Sequence, residues 1–364
     1  MSGTTRAVAA WGLPTSHRLP DRPLDDAAFA TLLHECEQHR LMGFLGAAAR
    51  AGAFPLTDSQ RGLLEECWQR WLAHALRIER LTLAAIDCLE RAGLEARVLK
   101  GVALAHQAYP DPSWRVVGDA DLLVRGEQLG AAVDALITGL GLERDTPELR
   151  SGFDARFGKE VLLRSAGNLE LDLHRTLVEG ALGLTIRLDD LFAAPGHVVI
   201  GGRRLPTLGD AARLLHACYA AAFGDWPPRL ASLRDVAQVL AMPDGPPTAE
   251  VLAMARAWRA EAVVALAVTE ARDAFAAAPD DSLTRWAAAW RSSRLDRLLV
   301  AAQRGPARAS TRHLAALLVV PGVEPRLAYL RAVAFPQREY LAWRGLSIRD
   351  HATRALRRLG TRGG

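Results

Sequence analysis

Three aspartates and one lysine hold most of the chemistry that this sequence offers. The stretch from Val116 to Val124 alternates as a β-strand does, with successive side chains on opposite faces. Asp119 and Asp121 then share one face, while Ala120, Leu122 and Val124 line the other. Two carboxylates this close disfavour each other's ionised form. They are tolerable when solvated or when a divalent cation sits between them, and the spacing leaves both readings open. Gly118, just before the pair, permits close approach of a backbone or a ligand. A second stretch, Leu169 to His174, repeats the pattern: Glu170, Asp172 and His174 fall on one face and three leucines on the other. Lysine is nearly absent. Only Lys100 and Lys159 occur among 45 basic residues, and Lys100 lies shortly before the aspartate pair. Lys159, ahead of a strand, reads as a surface residue.

The elements that must position these groups follow from hydrophobic spacing and turn chemistry. Residues 1–24, punctuated by Pro and Arg, read as loosely ordered. Apolar positions from Asp25 to Ala51 follow helical spacing, and Thr57-Asp58-Ser59 supplies the cap of a long helix that runs to about Ala92 and stops at Gly93. A short strand, Glu95 to Leu99, is followed by Lys100-Gly101 and a helix through Tyr109. The aspartate strand comes next, then a helix from Gly126 to Gly139. Glu160 to Arg164 and Leu169 to His174 read as two strands joined by the turn Ser165 to Asn168. From Thr207, taken as a helix start, helical patterns persist almost to the end. The expected division is an N-terminal helical region over 1–94, an α/β core over 95–206 and an Arg-rich helical region over 207–364.

Composition narrows the class. The 364 residues are half hydrophobic and 24% charged, the balance of a globular protein with room for two or three packed units. No apolar run is long enough for a transmembrane helix, and the N-terminus does not read as a secretory signal. Four cysteines without a C-x-x-C pair argue against a zinc site and suit reduced thiols in a cytoplasm. Charge is uneven: residues 285–364 carry sixteen Arg against four acids, while the rest of the chain is net acidic. Such a basic region attracts phosphates, acidic peptide or RNA, or is simply a set of solvated helix faces.

The ordered set of strand, Lys-Gly, helix, Asp-x-Asp strand, helix, hairpin and Asp strand resembles the nucleotidyltransferase fold of the DNA polymerase β superfamily. The closer resemblance is to a bacterial family described only as nucleotidyltransferases. It is carried by Leu99-Lys100-Gly101 with Ala103-Leu104, by Tyr109-Pro110, by Arg115 through Val124, and by Leu171-Asp172-Leu173-His174. Downstream, Leu214 through Trp226 and Leu233 through Ala237 resemble the family's helical segment. The resemblance implies an α+β fold in which a small mixed β-sheet core is flanked by N-terminal and C-terminal helical regions.

It also implies Mg²⁺-dependent transfer of a nucleoside monophosphate, AMP from ATP being favoured, with release of pyrophosphate. The acceptor would be a hydroxyl on a peptide or protein, on a small metabolite or at an RNA end. Two Mg²⁺ ions, or Mn²⁺ in their place, would be held by Asp119, Asp121 and Asp172, with Glu170 as the substitute third ligand. Asp172 would also take the acceptor's proton. Lys100 would place a point charge on the triphosphate, and the Gly101 amide would donate to it beside Gly118. Arg115 would reach a phosphate or pair with an aspartate, and His174 would orient Asp172 or the acceptor. Val102 departs from the pattern, because many superfamily members carry a small residue, often Ser, after that glycine. Two alternatives use the same residues differently: phosphotransfer, which would release ADP, and a non-catalytic module that binds a nucleotide or a partner.

Overall fold

In the computed structural model, which describes residues 2–276, 282–304 and 309–346, the chain opens with helices α1 (Gly3–Ala10), α2 (Asp26–Gln38) and α3 (Met42–Arg50). The loose start expected over 1–24 is corrected by α1. Its Val8, Ala9 and Ala10 are fully buried, because short side chains let the helix dock closely. The helical spacing from Asp25 to Ala51 is divided between two helices. Arg40 adopts a φ of 57°, and the Leu41 N–H donates to the Cys36 carbonyl at 2.7 Å, which closes α2. Helix α4 (Asp58–Arg91) starts in a capping box between Thr57 and Gln60 and stops before Gly93, as its residues require.

The α/β segment then runs through β1 (Ala96–Val98), α5 (Lys100–Ala108), β2 (Ala120–Val124), α6 (Leu129–Leu140), β3 (Glu143–Arg144) and α7 (Phe153–Phe157). It continues through β4 (Glu160–Arg164), β5 (Glu170–His174), α8 (Gly180–Thr185), α9 (Asp190–Ala193), β6 (Gly196–Ile200) and β7 (Arg203–Thr207). These strands form one seven-stranded mixed sheet in the order β3-β4-β5-β2-β1-β7-β6. Strand β2 is central, parallel to β5 and antiparallel to β1. It begins at Ala120 and not at Val116, so Asp119 sits in the bend just before it. The β6–β7 hairpin turns on Gly201 and Gly202, with φ of 57° and 78°. Thr207 therefore ends a strand. The following helix, α10 (Asp210–Phe223), starts three residues later, behind Gly209 as its N-cap.

The helical remainder comprises α11 (Leu230–Leu240), α12 (Thr248–Trp258), α13 (Glu261–Phe275), α14 (Ser282–Ala289), α15 (Arg294–Gln303), α16 (Ala309–Val319), α17 (Val323–Ala334) and α18 (Arg338–Trp343). Two cores lie on the two sides of the sheet. Ala120, Leu122 and Val124 of β2 join α4 and α6 in one, and Leu123 points into the other. That second core unites α1, α2 and α3 with α10, α11 and α13 around Phe44, Tyr219 and Trp258. The two helical regions thus meet each other as well as the sheet.

Arg234 of α11 ties them. Its buried guanidinium donates to the carbonyls of Ala9 at 2.7 Å and Trp11 at 2.8 Å, the open end of α1. Burial pulls its pKa down to about 10, which still leaves it charged at neutral pH. Charge-assisted hydrogen bonds of this kind contribute more than neutral ones. Arg234→Ala is therefore expected to lower unfolding free energy by roughly 3 kcal/mol in urea titration. A loss below about 1 kcal/mol would show that α1 docks without this clamp.

Candidate active site

Main-chain register brings the carboxylates together. In the parallel β2–β5 pair, Asp121 lies opposite Asp172 and Leu123 opposite His174, so the aspartates share a face as neighbours. Ligand atoms of Asp121, Asp172 and His174 lie within 4.8 Å of one another. Asp119 is outside that group, yet its carboxyl feels the cluster. Repulsion from Asp121, aided by burial, raises its pKa against the pull of Lys100 and Arg40.

Asp121 is almost wholly buried. Burial alone would favour its neutral form, but Lys100 and the hydrogen bond from His174 outweigh burial and hold it well below the ordinary range. His174 Nε2 meets Asp121 Oδ1 at 2.8 Å, while Nδ1 faces the Thr176 carbonyl at 3.3 Å and Glu160 Oε2 at 3.3 Å. Both ring nitrogens are thus committed to oxygens. His174 acts on the site by orienting Asp121, where the sequence suggested Asp172 or the acceptor.

The other oxygen of Asp121, Oδ2, is buried without a hydrogen-bond partner. A bare buried carboxylate oxygen is costly unless a cation faces it. Beside it, Asp172 is pushed up to about 8, first by burial and then by the charges of Glu160, Asp121 and Asp119. An oxygen-rich cluster in which one carboxylate oxygen is bare and the neighbouring carboxyl holds its proton is short of positive charge. That donor set fits a hard divalent cation such as Mg²⁺ or Mn²⁺.

The N-terminus of α5 closes the other side. Leu99 caps it with no side-chain hydrogen bond, so its first amides are open to an anion. A Cβ on Gly101 would come within 3.3 Å of Asp121 Oδ2 and 3.5 Å of the Asp119 carbonyl oxygen. Glycine lets the helix end approach the aspartates. Val102 is buried in the core with α4 and does not face the carboxylates. Lys100 stands at the helix start, beside Asp121 and Asp119.

Other residues fall differently from expectation. Arg115 is held in a bidentate pair by Asp235 of α11, at 2.8 and 2.7 Å, and also donates to the Gly101 carbonyl at 3.1 Å. Of the two options for Arg115, this is the pairing one, with an aspartate far along the chain. Glu170 is taken by an ion pair with Arg164 at 2.5 Å. Lys159, read as a surface residue, is three-quarters buried. Burial opposes its charge, but Glu160 at 2.6 Å, Asp121 and Asp172 raise its pKa. The correction has a simple cause: Lys159 adjoins Glu160, which the β4–β5 register sets opposite His174. Alternation along β4 was the signal for Glu160. No local signal pointed to Asp235, or to His74, whose Nε2 bonds the Gly118 carbonyl at 2.9 Å.

Residues 25–276 match the model of a family described as uncharacterised nucleotidyltransferase. No curated protein matches the chain. Among solved structures, an antigenic nucleotidyltransferase-like protein from Paracoccidioides brasiliensis is 16% identical, covering 49% of this chain and 91% of its own, at a TM-score of 0.30. The antibiotic-resistance factor ANT(2'')-Ia, solved in solution, is 17% identical, covering 59% of this chain and 95% of its own, also at a TM-score of 0.30.

The raised pKa of Asp172 has a measurable consequence. Its folded value of about 8 lies above the unfolded value of 3.8, so between them the folded state binds more protons. The stability from this group is complete below the lower value and is lost as pH rises through the upper one. In metal-free protein, Asp172→Asn is expected to raise the melting temperature by at least ~2 °C at about pH 8.5 and by a severalfold smaller amount near pH 5. Coincident melting curves at the higher pH would contradict this.

Proposed function

The chain belongs to the uncharacterised nucleotidyltransferase family, and on that premise we propose Mg²⁺-dependent transfer of AMP from ATP to a hydroxyl-bearing acceptor. The observation that carries this reading is the bare, buried Oδ2 of Asp121, set beside Asp172 and beneath the open N-terminus of α5. Asp119, Asp121 and Asp172 would hold the metal, with Mn²⁺ able to replace Mg²⁺. Bound divalent ions would align the attacking and leaving oxygens and offset charge on the transferred group.

The chain's own residues account for the rest. Lys100 and the Gly101 amide receive the triphosphate, as a point charge and a helix-end donor. Gly118 leaves room beside Asp119. His174 fixes the rotamer of Asp121 through its 2.8 Å bond. Arg115, locked to Asp235, holds the start of α5 in place through the Gly101 carbonyl. The acceptor oxygen forms a bond to the α-phosphorus, and the bond from that phosphorus to the bridging oxygen breaks. Pyrophosphate departs with that oxygen, and the hydroxyl proton passes to Asp172, which must first have given up the proton it holds in the free protein. Most of the acceleration comes from alignment and charge placement.

For the acceptor, a peptide, protein or small-molecule hydroxyl is favoured over an RNA end. The RNA reading rests on the Arg-rich C-terminal stretch, whose last part, 347–364, lies outside the described residues. No helix among the described residues is long and apolar enough to cross a membrane. Four free thiols support a reducing cytoplasm as the working compartment.

The test is incubation with α- and γ-labelled ATP and Mg²⁺ over a panel of hydroxyl acceptors. Wild type is expected to release pyrophosphate and label the acceptor from the α-position. Asp119→Asn, Asp121→Asn and Asp172→Asn are each expected to lower that rate by roughly 10²–10³-fold while retaining a cooperative melt. ADP as the product would move the assignment to phosphotransfer. Full activity in all three variants would show that the chemistry lies elsewhere.

A further inference from the structure

Arg40 is a residue for which neither the family resemblance nor the carboxylate cluster supplies a role. It sits where α2 ends, in the left-handed conformation with a φ of 57°, a position that glycine fills most comfortably. The chain has 30 glycines and uses one at many such turns, yet here it keeps an arginine. An uncommon backbone state on a long charged residue points to a task for the side chain.

The side chain reaches across to the α/β segment. A Cβ added to Gly118 would lie 3.2 Å from Nη2 of Arg40 and 3.3 Å from its Cζ, so the guanidinium rests on the backbone immediately before Asp119. Among the described residues it makes no side-chain hydrogen bond and no ion pair. The other cations of the neighbourhood differ in this respect. Arg115 is consumed by Asp235, and Lys159 by Glu160. Lys100 and Arg40 are the two described cations left uncommitted whose charge bears on Asp119. One arrives from the start of α5 and the other from the turn between α2 and α3.

We propose that Arg40 binds the polyphosphate of the nucleotide substrate, forming with Lys100 a two-cation grip on either side of Gly118 and Asp119. Its planar fork of N–H donors matches phosphate oxygens bidentately, which the ammonium of Lys100 does not. Gly118 then has a second use: a Cβ there would lie 3.2 Å from Nη2 and press the guanidinium off the backbone that it rests on. The N-terminal helices become part of the substrate site, and the turn that closes α2 sets its position. This inference rests on the nucleotide reading of the site given above.

Arg40→Gly separates the roles, because glycine suits the backbone while removing the guanidinium. Affinities for ATP, ADP, AMP and adenosine would be measured by calorimetric titration with Mg²⁺ on wild type and variant, together with melting curves. The expected result is a loss of about tenfold or more in ATP affinity, a smaller loss for AMP, unchanged adenosine binding and an equal or higher melting temperature. Equal ATP affinity in the two proteins, or parallel losses for ATP and adenosine, would overturn the assignment of Arg40 and leave the nucleotide site standing. Wild type that binds no nucleoside triphosphate would overturn both.

Discussion

A buried carboxylate and a half-buried one are held side by side by hydrogen bonds between main chains. The β2–β5 register fixes Asp121 against Asp172 whatever their charges prefer, and like charges in low dielectric prefer to be apart or neutral. The surrounding structure answers that constraint. His174 takes one oxygen of Asp121, and Lys100 supplies positive potential from the start of α5. Lys159 and Glu160 balance each other on the next strand, and Asp172 keeps a proton. One oxygen remains unanswered. A site that is fully neutralised from within has no call for a cation, and this one stops short of that point.

The helical regions serve the same constraint from a distance. Arg115, Tyr109 and Asp235 form a buried network in which the phenol donates to the aspartate at 2.7 Å and the guanidinium grips both of its oxygens. Burial, with the Asp235 charge beside it, raises the tyrosine's pKa far above the ordinary value and keeps the phenol a donor. Through the Gly101 carbonyl this network fixes the end of α5 that faces the aspartates. Arg234, the residue before Asp235, fixes α1 against the same helix, α11. Two adjacent residues of one helix thus secure the site and the N-terminal helices together.

How much of this was legible depended on range. The long helix with its Thr57 cap, the aspartate pair and the alternation in Leu169 to His174 follow from local periodicity and turn chemistry, whereas the mixed sheet was implied by the family resemblance. The opening helix was missed because it is only eight residues long, and part of its burial comes from α11 and α13, more than two hundred residues away. The β6–β7 hairpin carried a legible signal in Gly201-Gly202, passed over beside the stronger helical pattern after Thr207. Glu160 and Lys159 belong to the site because of strand pairing, and Arg40 because of a tertiary approach across Gly118. Neither Lys159 nor Arg40 has a spacing in sequence that announces it, and for Glu160 the alternation of β4 was the one local signal. The partner of Arg115 was equally out of reach of any local rule.

Proton release on metal binding tests the central claim most directly. If the cluster binds a divalent ion through Asp172, the proton that the raised pKa retains at neutral pH must leave when the ion enters. Titrating metal-free protein with Mn²⁺ and an unreactive ATP analogue near pH 7, in two buffers of different ionisation enthalpy, counts that proton. The account requires nearly one proton released per ion bound at this site in wild type, and none in Asp172→Asn. Metal that binds without proton release, or that binds Asp121→Asn as tightly as wild type, would contradict it.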